Sequence, residues 1–355
     1  MVARVLILRA GSGPGNSLIR SLQATKSRPV VVGCHDDKFV LKKSLAKRNY
    51  LVPAAPQRDF PRALRRIIDA ERIDVLLPTT DDDVLRISSL RGKLPCRTFL
   101  PRHSVILRCQ DKYVLSRFLR SQGIPAPRTY PITSLRDVDR VFRRLGPRLP
   151  HWCRVRKGSG SFGAIPVTRP EQVRIWIGYF QELRHVPPGS FTLSEYLPGR
   201  DFCVQSLWKD GRLVLAKMAE RLAYFDSGSP SGVSSMASLA KTLFDARAME
   251  ACARAIRALD PRASGAFFVD MKQSADGTAC ITEINAGRFA SMTNLHDLAG
   301  RHNMTATYVR LALGEPVRIG KPYDYAANFY VVRSVDTAPA VFDASQLHMD
   351  IEDAT

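Results

Sequence analysis

The stretch Gly265 to Phe289, GAFFVDMKQSADGTACITEINAGRF, reads as two strands and a turn, and it dictates where the polar groups of that hairpin must go. The first strand is apolar through Ala266, Phe267, Phe268 and Val269 and reaches Asp270. Asp276-Gly277 supplies the turn, and the second strand carries Glu283 and Asn285. Side chains at i and i+2 share one face of a strand, so Glu283 and Asn285 point the same way, and pairing brings Asp270 alongside them. Two carboxylates and a carboxamide, with no histidine or thiolate among them, suit Mg²⁺, a hard ion that keeps waters and is shared with substrate phosphates. A hairpin with one polar face has the same pattern, and the residues alone leave both readings open.

The opening third has a different period. Strands ARVLILRA, PVVVGC and DVLLPTT alternate with helices at Asn16 to Thr25 and Asp59 to Glu71, which implies a parallel sheet covered by helices. The loop Gly11-Ser12-Gly13-Pro14-Gly15-Asn16 resembles a dinucleotide-binding turn, with Asp36 as a ribose-binding acid. Its glycines fall at every second position and the acid comes late, so bound NAD is not the expectation.

At 355 residues the chain has room for two or three lobes. No apolar run approaches the roughly 20 residues of a membrane span, and MVARVLILRAG enters a strand and a glycine loop, so a cytoplasmic protein without a membrane partner is expected. Seven scattered cysteines with no CxxC pair suggest neither disulfides nor zinc. The formal charge of +20 is spread through RALRRII, RVFRRLG and AKRNY. Solvated helix faces explain such arginines better than a polyanionic partner, and a nucleic-acid partner is not expected because no basic face interleaved with aromatics is visible.

A second unit starts near Cys109. Asp111-Lys112 opens an amphipathic helix closed by Gly123, and IPAPRTYPI is extended. Between the strand Trp152 to Arg156 and the strand AIPV lies Gly158-Ser159-Gly160-Ser161-Phe162-Gly163. Its free backbone N–H groups can wrap phosphate oxygens and it can close as a lid; a hairpin turn is the plainer alternative. A third unit runs from FTLSEYL through FCVQSLW and a helix over about Phe244 to Leu259 into the acidic hairpin, then into helices around Met292 to Ala299 and Met304 to Leu313. AYFDSGSPSGVSS reads as a second mobile loop. The tail from Lys321 carries one strand, at Asn328 to Val335.

In order, GSGPGNSLIRSL, IDVLLPTTDDDVL, DKYVLSRFLRSQGIPAPRTY, RVRKGSGSFGA, SEYLPGRDF and the hairpin ending EINAGRF resemble the ATP-grasp superfamily, in particular short single-chain proteins similar to the carbamoyl-phosphate synthase large subunit. The resemblance covers roughly Val5 to Pro316. It implies an α/β fold with α+β lobes: a Rossmann-like pre-ATP-grasp domain over 1–108, a small lobe over 109–188, a large lobe over 189–318 and a tail over 319–355. It also implies ATP and Mg²⁺ as cofactors, with Mn²⁺ as an alternative ion. Lys112 resembles the first nucleotide-contacting lysine. Arg154 stands where a second lysine is usual, so either its guanidinium or the ammonium of Lys157 serves the phosphates. Gly158, Ser159, Gly160, Ser161 and Gly163 resemble the lid; Ser194, Glu195, Tyr196 and Leu197 resemble the linker that reads adenine; and Asp201 resembles the ribose acid. Asp270, Glu283 and Asn285 fall on the magnesium ligands. Arg288 resembles the arginine that steadies the transferred phosphoryl group, one residue later than the usual Asn-x-Arg.

The first glycine loop and Thr79 to Asp83 then face the acceptor, with Asp82 and Asp83 either gripping an ammonium or capping a helix. Lys217 and Arg221 are candidates to hold the acceptor carboxylate or an acyl phosphate. The implied activity is an ADP-forming carboxylate–amine ligase working on small-molecule carboxylates and amines, amino acids or other anions among them, with a homodimer as an open oligomeric state. A carbamoyl-phosphate-type kinase acting on bicarbonate or carbamate and a non-catalytic nucleotide-binding regulator are the alternatives.

Overall fold

The computed structural model describes residues 2–225, 233–324, 326–334 and 340–346. Its first unit contains β1 (Arg4–Leu8), α1 (Gly13–Gln23), β2 (Val30–His35), α2 (Lys38–Leu41), β3 (Arg48–Leu51), α3 (Phe60–Glu71), β4 (Val75–Leu77) and α4 (Asp81–Ser89). The sheet order is β3-β2-β1-β4, parallel throughout. Val5, Leu6, Ile7 and Leu8 are all buried because helices cover both faces of this sheet, which explains the unbroken apolar run in the sequence. Helix α1 begins at Gly13, three residues earlier than expected, because Ser12 accepts from the N–H of Gly15 and Pro14 fits the first turn.

Helices α5 (His103–Gln110) and α6 (Lys112–Ser121) lead to β5 (Thr129–Ile132), α7 (Val138–Leu145), β6 (His151–Val155), β7 (Ile165–Val167), α8 (Pro170–Arg184) and β8 (Phe191–Glu195). These strands form an antiparallel sheet ordered β5-β8-β6-β7. The strand FTLSEYL, read as the start of the third unit, therefore lies inside the second sheet.

The rest of the chain builds one antiparallel seven-stranded sheet. Its elements are β9 (Asp201–Lys209), β10 (Arg212–Tyr224), β11 (Ala237–Thr242), α9 (Ala246–Leu259), β12 (Gly265–Gln273), β13 (Ala279–Ala286), α10 (Thr293–Leu298), α11 (Met304–Leu313), β14 (Phe329–Val332) and β15 (Ala340–Asp343), with strand order β13-β12-β9-β10-β11-β14-β15. Asp210 and Gly211, at φ of 50° and 81°, make the two-residue turn between β9 and β10 that a right-twisted hairpin favours. Strands β11 and β15 were not legible in the sequence.

The first sheet and the large sheet share a core. Val5, Ile7, Leu18 and Leu22 pack with Leu207, Leu215, Met304 and Tyr308, and burying each such leucine contributes about 1.5–3 kcal/mol. Polar contacts reinforce the join: the Ser17 hydroxyl donates to Asn294 at 2.7 Å and the Ser21 hydroxyl to Asp297 at 2.5 Å. The acidic hairpin is thereby held against the carboxyl end of the parallel sheet. Among the described residues no helix is long and apolar enough to cross a membrane.

Candidate active site

A cleft of about 670 Å³ opens where the three sheets meet. Its floor is the hairpin β12–β13, in register with Asp270 opposite Glu283 and Phe268 opposite Asn285. The hairpin bulges just after Asp270, where Met271 pairs with Ile281, so Thr282 has no partner in the ladder. The carbonyl of Thr282 instead accepts from Arg154 Nη2 at 2.9 Å. Asp270, Glu283 and Asn285 all line the cleft, as the hairpin pattern requires.

A chain of hydrogen bonds crosses this floor. Tyr224 Oη donates to Asp201 Oδ2 at 2.5 Å, and Arg221 donates to Asp201 Oδ1 at 3.0 Å and to Asp270 Oδ1. Asn285 Nδ2 donates to Asp270 Oδ2 at 3.2 Å, Arg288 Nη2 to Asn285 Oδ1 at 2.5 Å, and Arg288 Nε to Asp81 Oδ1 at 2.5 Å. Burial pulls both guanidinium groups down, but Asp270 and Asp201 outweigh it at Arg221 and Asp81 outweighs it at Arg288, so both are held above the usual arginine value. They are permanent cations.

The opposite wall is cationic. Lys112 Nζ lies 3.6 Å from Glu283 Oε2 and donates to the carbonyl of Gly158 at 2.5 Å. Arg154 Nη1 is 4.0 Å from the same carboxylate oxygen. Its Nε is buried and finds no hydrogen-bond partner among the described residues. Burial draws the Arg154 guanidinium below the usual arginine value, and Glu283 and Asp270 oppose the shift. The loop from Gly158 to Phe162 forms the roof, while Ser194 to Leu197 and Trp152 line one end, where the Trp152 and Tyr196 rings lie 6.0 Å apart. At the other end stand Pro14, Thr79, Thr80 and Asp81.

Some expected site residues lie elsewhere. Lys217 is buried between Asp297 Oδ1 at 3.0 Å and Asp324 Oδ2 at 3.4 Å, so its ammonium is spent on tying α10 to the segment before β14 and cannot hold a substrate. Lys157 is exposed and does not line the cleft, because it follows the end of β6, the strand whose alternation turns Arg154 inward. Gly163 is buried beneath the roof at φ 66°, its carbonyl accepting from Trp176 Nε1 at 3.0 Å, and it anchors the loop without lining the cleft. The first glycine loop is shaped by packing: a Cβ on Gly11 would stand 2.0 Å from the Val40 carbonyl oxygen, and one on Gly15 would stand 2.3 Å from that of Arg9. Asp36 is taken by Arg9, and Asp83 caps α4 with Thr80. Part of AYFDSGSPSGVSS, residues 226–232, lies outside the described residues.

Thr79, Thr80 and Asp81, from the segment expected to face the acceptor, do line the cleft, whereas Trp152, Tyr224 and Thr282 are cleft residues that the sequence reading did not single out. The segment with Asp81 follows the carboxyl end of a parallel strand, where open α/β sheets bind ligands; the other three carry no such local signal.

The donor set on the hairpin fits magnesium. It offers hard oxygens only, and with just two carboxylates it does not complete a cage: among the described residues no three His, Cys, Asp or Glu side chains gather around a metal position. An ion held here must draw its remaining ligands from water or phosphate.

The three sheets, the glycine–serine roof and the acidic floor define an α/β protein with a cleft between lobes, cationic on one wall and acidic on its floor. No family model matches the sequence, and no curated protein matches it in sequence. Among solved structures, an L-amino acid ligase from Bacillus licheniformis superposes over 93% of this chain and 78% of its own at TM-score 0.69 and 11% identity. N5-carboxyaminoimidazole synthetase from Staphylococcus aureus with ADP gives 0.70 over 94% and 82% at 15% identity. Biotin carboxylase from Campylobacter jejuni in a β-γ-ATP complex gives 0.72 over 93% and 75% at 12% identity. The chain has the ATP-grasp fold.

Proposed function

We propose that the protein is an ATP-dependent carboxylate–amine ligase that forms an amide through an acyl phosphate and releases ADP and phosphate. The observation that carries this reading is the placement of Lys112 and Arg154, the latter with an unpartnered buried Nε, directly across from Asp270, Glu283 and Asn285 and beneath a glycine–serine loop. A buried donor without a partner costs about 1–3 kcal/mol, and a phosphate oxygen would remove that cost. The ligases with solved structures of the same fold support the reaction class.

In this reading Lys112 and Arg154 hold the nucleotide phosphates and the loop 158–162 covers them. The backbone of Ser194 to Leu197 faces adenine, flanked by Trp152 and Tyr196. Asp201, locked by Arg221 and Tyr224, offers its accepting oxygens to the ribose edge. Asp270, Glu283 and Asn285 would hold magnesium, which when bound neutralises charge building on the transferred phosphoryl group. The substrate carboxylate is already ionised at neutral pH and needs no protein base to attack the γ-phosphorus. Arg288 stabilises the phosphoryl oxygens as ADP departs. Asp81, paired with that arginine, is placed to accept from the amine. The amine nitrogen then bonds to the acyl carbon, phosphate leaves with the electron pair of the C–O bond, and the nitrogen loses a proton. We assign the lobes the boundaries 1–108, 109–188 and 189–318, with β8 of the third span completing the second sheet.

Measuring ADP release over a panel of amino acids, dipeptides and other carboxylates, each with and without amines, tests the proposal. ADP formation that requires both a carboxylate and an amine is the expected result. Turnover indifferent to every carboxylate would refute it.

A further inference from the structure

Part of the +20 charge falls on the first unit. Residues 1–58 contain eleven lysines and arginines and only two acids, Asp36 and Asp37. Both acids are engaged: Asp36 pairs with Arg9, and Asp37 caps α2 by accepting from the N–H groups of Phe39 and Val40. Of the acids from other elements that pair with this segment, Glu71 is taken by Arg4 and Arg48 and Asp83 by Arg9. Lys38, Lys42, Lys43 and Lys47 remain as exposed cations on α2 and the turn that leads to β3.

This basic segment packs on the glycine loop whose Pro14 lines the cleft. The Val40 carbonyl packs against Gly11, Asn16 Nδ2 donates to the Lys43 carbonyl at 2.9 Å, and the Leu45 N–H donates to Asn16 Oδ1 at 3.2 Å. Gly11 and Asn16 flank Pro14, which lines the acceptor end. The same segment exposes apolar surface, with Phe39 75%, Leu51 61% and Leu45 39% exposed. It ends in β3, an edge strand whose outer side has no pairing partner among the described residues.

We propose that this segment docks an extended acidic peptide, laid along the open edge of β3 with its carboxylates against Lys38, Lys42, Lys43 and Lys47, and that such a peptide carries the carboxylate the enzyme activates. The second half rests on the ligase reading. An open strand edge gives a peptide main chain hydrogen-bonding partners that a nucleic acid cannot use. The cations are lysines, compact point charges without the planar fork that grips phosphate, and Phe39 is a lone exposed ring and no stacking platform. A second copy of this chain carries the same positive field and is repelled.

The test uses a fluorescein-labelled decaglutamate peptide and the full chain. Anisotropy titrations are run on the wild type and on the variant Lys38→Glu, Lys42→Glu, Lys43→Glu, Lys47→Glu. A matching quadruple glutamine variant removes charge without adding any. The wild type is expected to bind with an affinity that weakens as salt rises, the glutamate variant to bind about tenfold or more weakly, the glutamine variant to fall between, and ATP affinity to stay unchanged. Equal binding by wild type and glutamate variant, or no binding by either, overturns the docking surface and leaves the lysines as guards of an open sheet edge. A deoxythymidine decamer that binds more tightly than the peptide through the same lysines also overturns it, in favour of nucleic acid. Lysine-dependent peptide binding with no peptide-driven ADP release, while another carboxylate does drive release, overturns the substrate half. If no carboxylate drives release, the ligase reading has failed, and lysine-dependent binding still upholds the docking surface.

Discussion

Replacing Arg154 by methionine keeps most of the side chain's volume and removes a cleft guanidinium whose buried Nε has no partner among the described residues. Three contacts of the group set the size of the effect. Its bond to the Thr282 carbonyl and its approach to Glu283 exist without ligand and are lost equally from free and bound protein, so they cancel in an affinity. What does not cancel is the new hydrogen bond from Nε to an anionic phosphate oxygen. A charge-assisted bond of this kind contributes about 1.5–3 kcal/mol, or about 10- to 150-fold in Kd. The unmet donor in the free protein favours the upper part of that range, since binding also relieves its burial. Calorimetric titration of a non-hydrolysable ATP analogue with magnesium measures the change, and circular dichroism checks the fold. Arg154→Lys should recover part of the affinity, because an ammonium can reach phosphate but cannot keep the Thr282 bond at the same time. Lys157→Ala, at an exposed position outside the cleft, should stay within about twofold of wild type. An Arg154→Met protein that binds the analogue as tightly as wild type, or a larger loss in Lys157→Ala, would refute the assignment.

Asp270→Asn should abolish magnesium-dependent ADP release while urea denaturation shows a folded protein, since Arg221 keeps Asp201 as a partner; electron paramagnetic resonance with Mn²⁺ and nucleotide should show the ion unbound, and normal turnover would remove the metal assignment. Lys217→Met should act on stability alone, lowering it by about 3–5 kcal/mol because Asp297 and Asp324 are left as buried unpaired carboxylates, and a change in substrate KM without that loss would contradict the corrected role. His296 is buried and uncharged, its pKa pushed down to about 3 chiefly by burial, while the unfolded chain binds its proton near 6.5. Between those values the unfolded state holds the extra proton, so stability falls as pH drops below about 6.5, by at most about 1 kcal/mol per pH unit, and the loss is complete near pH 3; His296→Asn should flatten the urea midpoint between pH 7 and 5 by that amount, and an unchanged slope would sink the argument.

What the sequence disclosed was whatever depends on neighbours along the chain. The acidic hairpin was legible because strand alternation and a two-strand register place Asp270, Glu283 and Asn285 without knowledge of the rest of the fold. The parallel sheet was legible from its buried apolar runs. Lys217 was misread because its partners, Asp297 and Asp324, come from elements far along the chain, and nothing local tells a buried structural ammonium from a substrate-binding one. Asp81 was placed in the acceptor-facing segment, but its pairing with Arg288, 207 residues away, was hidden for the same reason. Arg154 and Lys157 could not be ranked until β6 showed which of them faces inward. The glycines at 11 and 15 suggested a ligand loop, yet their lack of a Cβ is required by backbone carbonyls of the protein itself.

The charges of the cleft balance without any ligand. Lys112, Arg154 and Arg221 stand against Glu283, Asp270 and Asp201, and Arg288 stands against Asp81. A divalent cation arriving alone would meet a carboxylate, Asp270, whose Oδ1 already accepts from Arg221 and whose Oδ2 accepts from Asn285. It would add two positive charges to a neutral, partly buried cluster, which low local polarity makes costly. A nucleotide changes the sum, because its phosphates add negative charge beside Lys112 and Arg154 and offer further oxygen ligands to the metal. Metal and nucleotide then each favour the other's binding, and by linkage the coupling has the same magnitude from either side. In the proposed ligase, the arginines that fill the acidic floor would therefore tie magnesium occupancy to the presence of phosphate, so that the metal is held when there is a phosphoryl group to move.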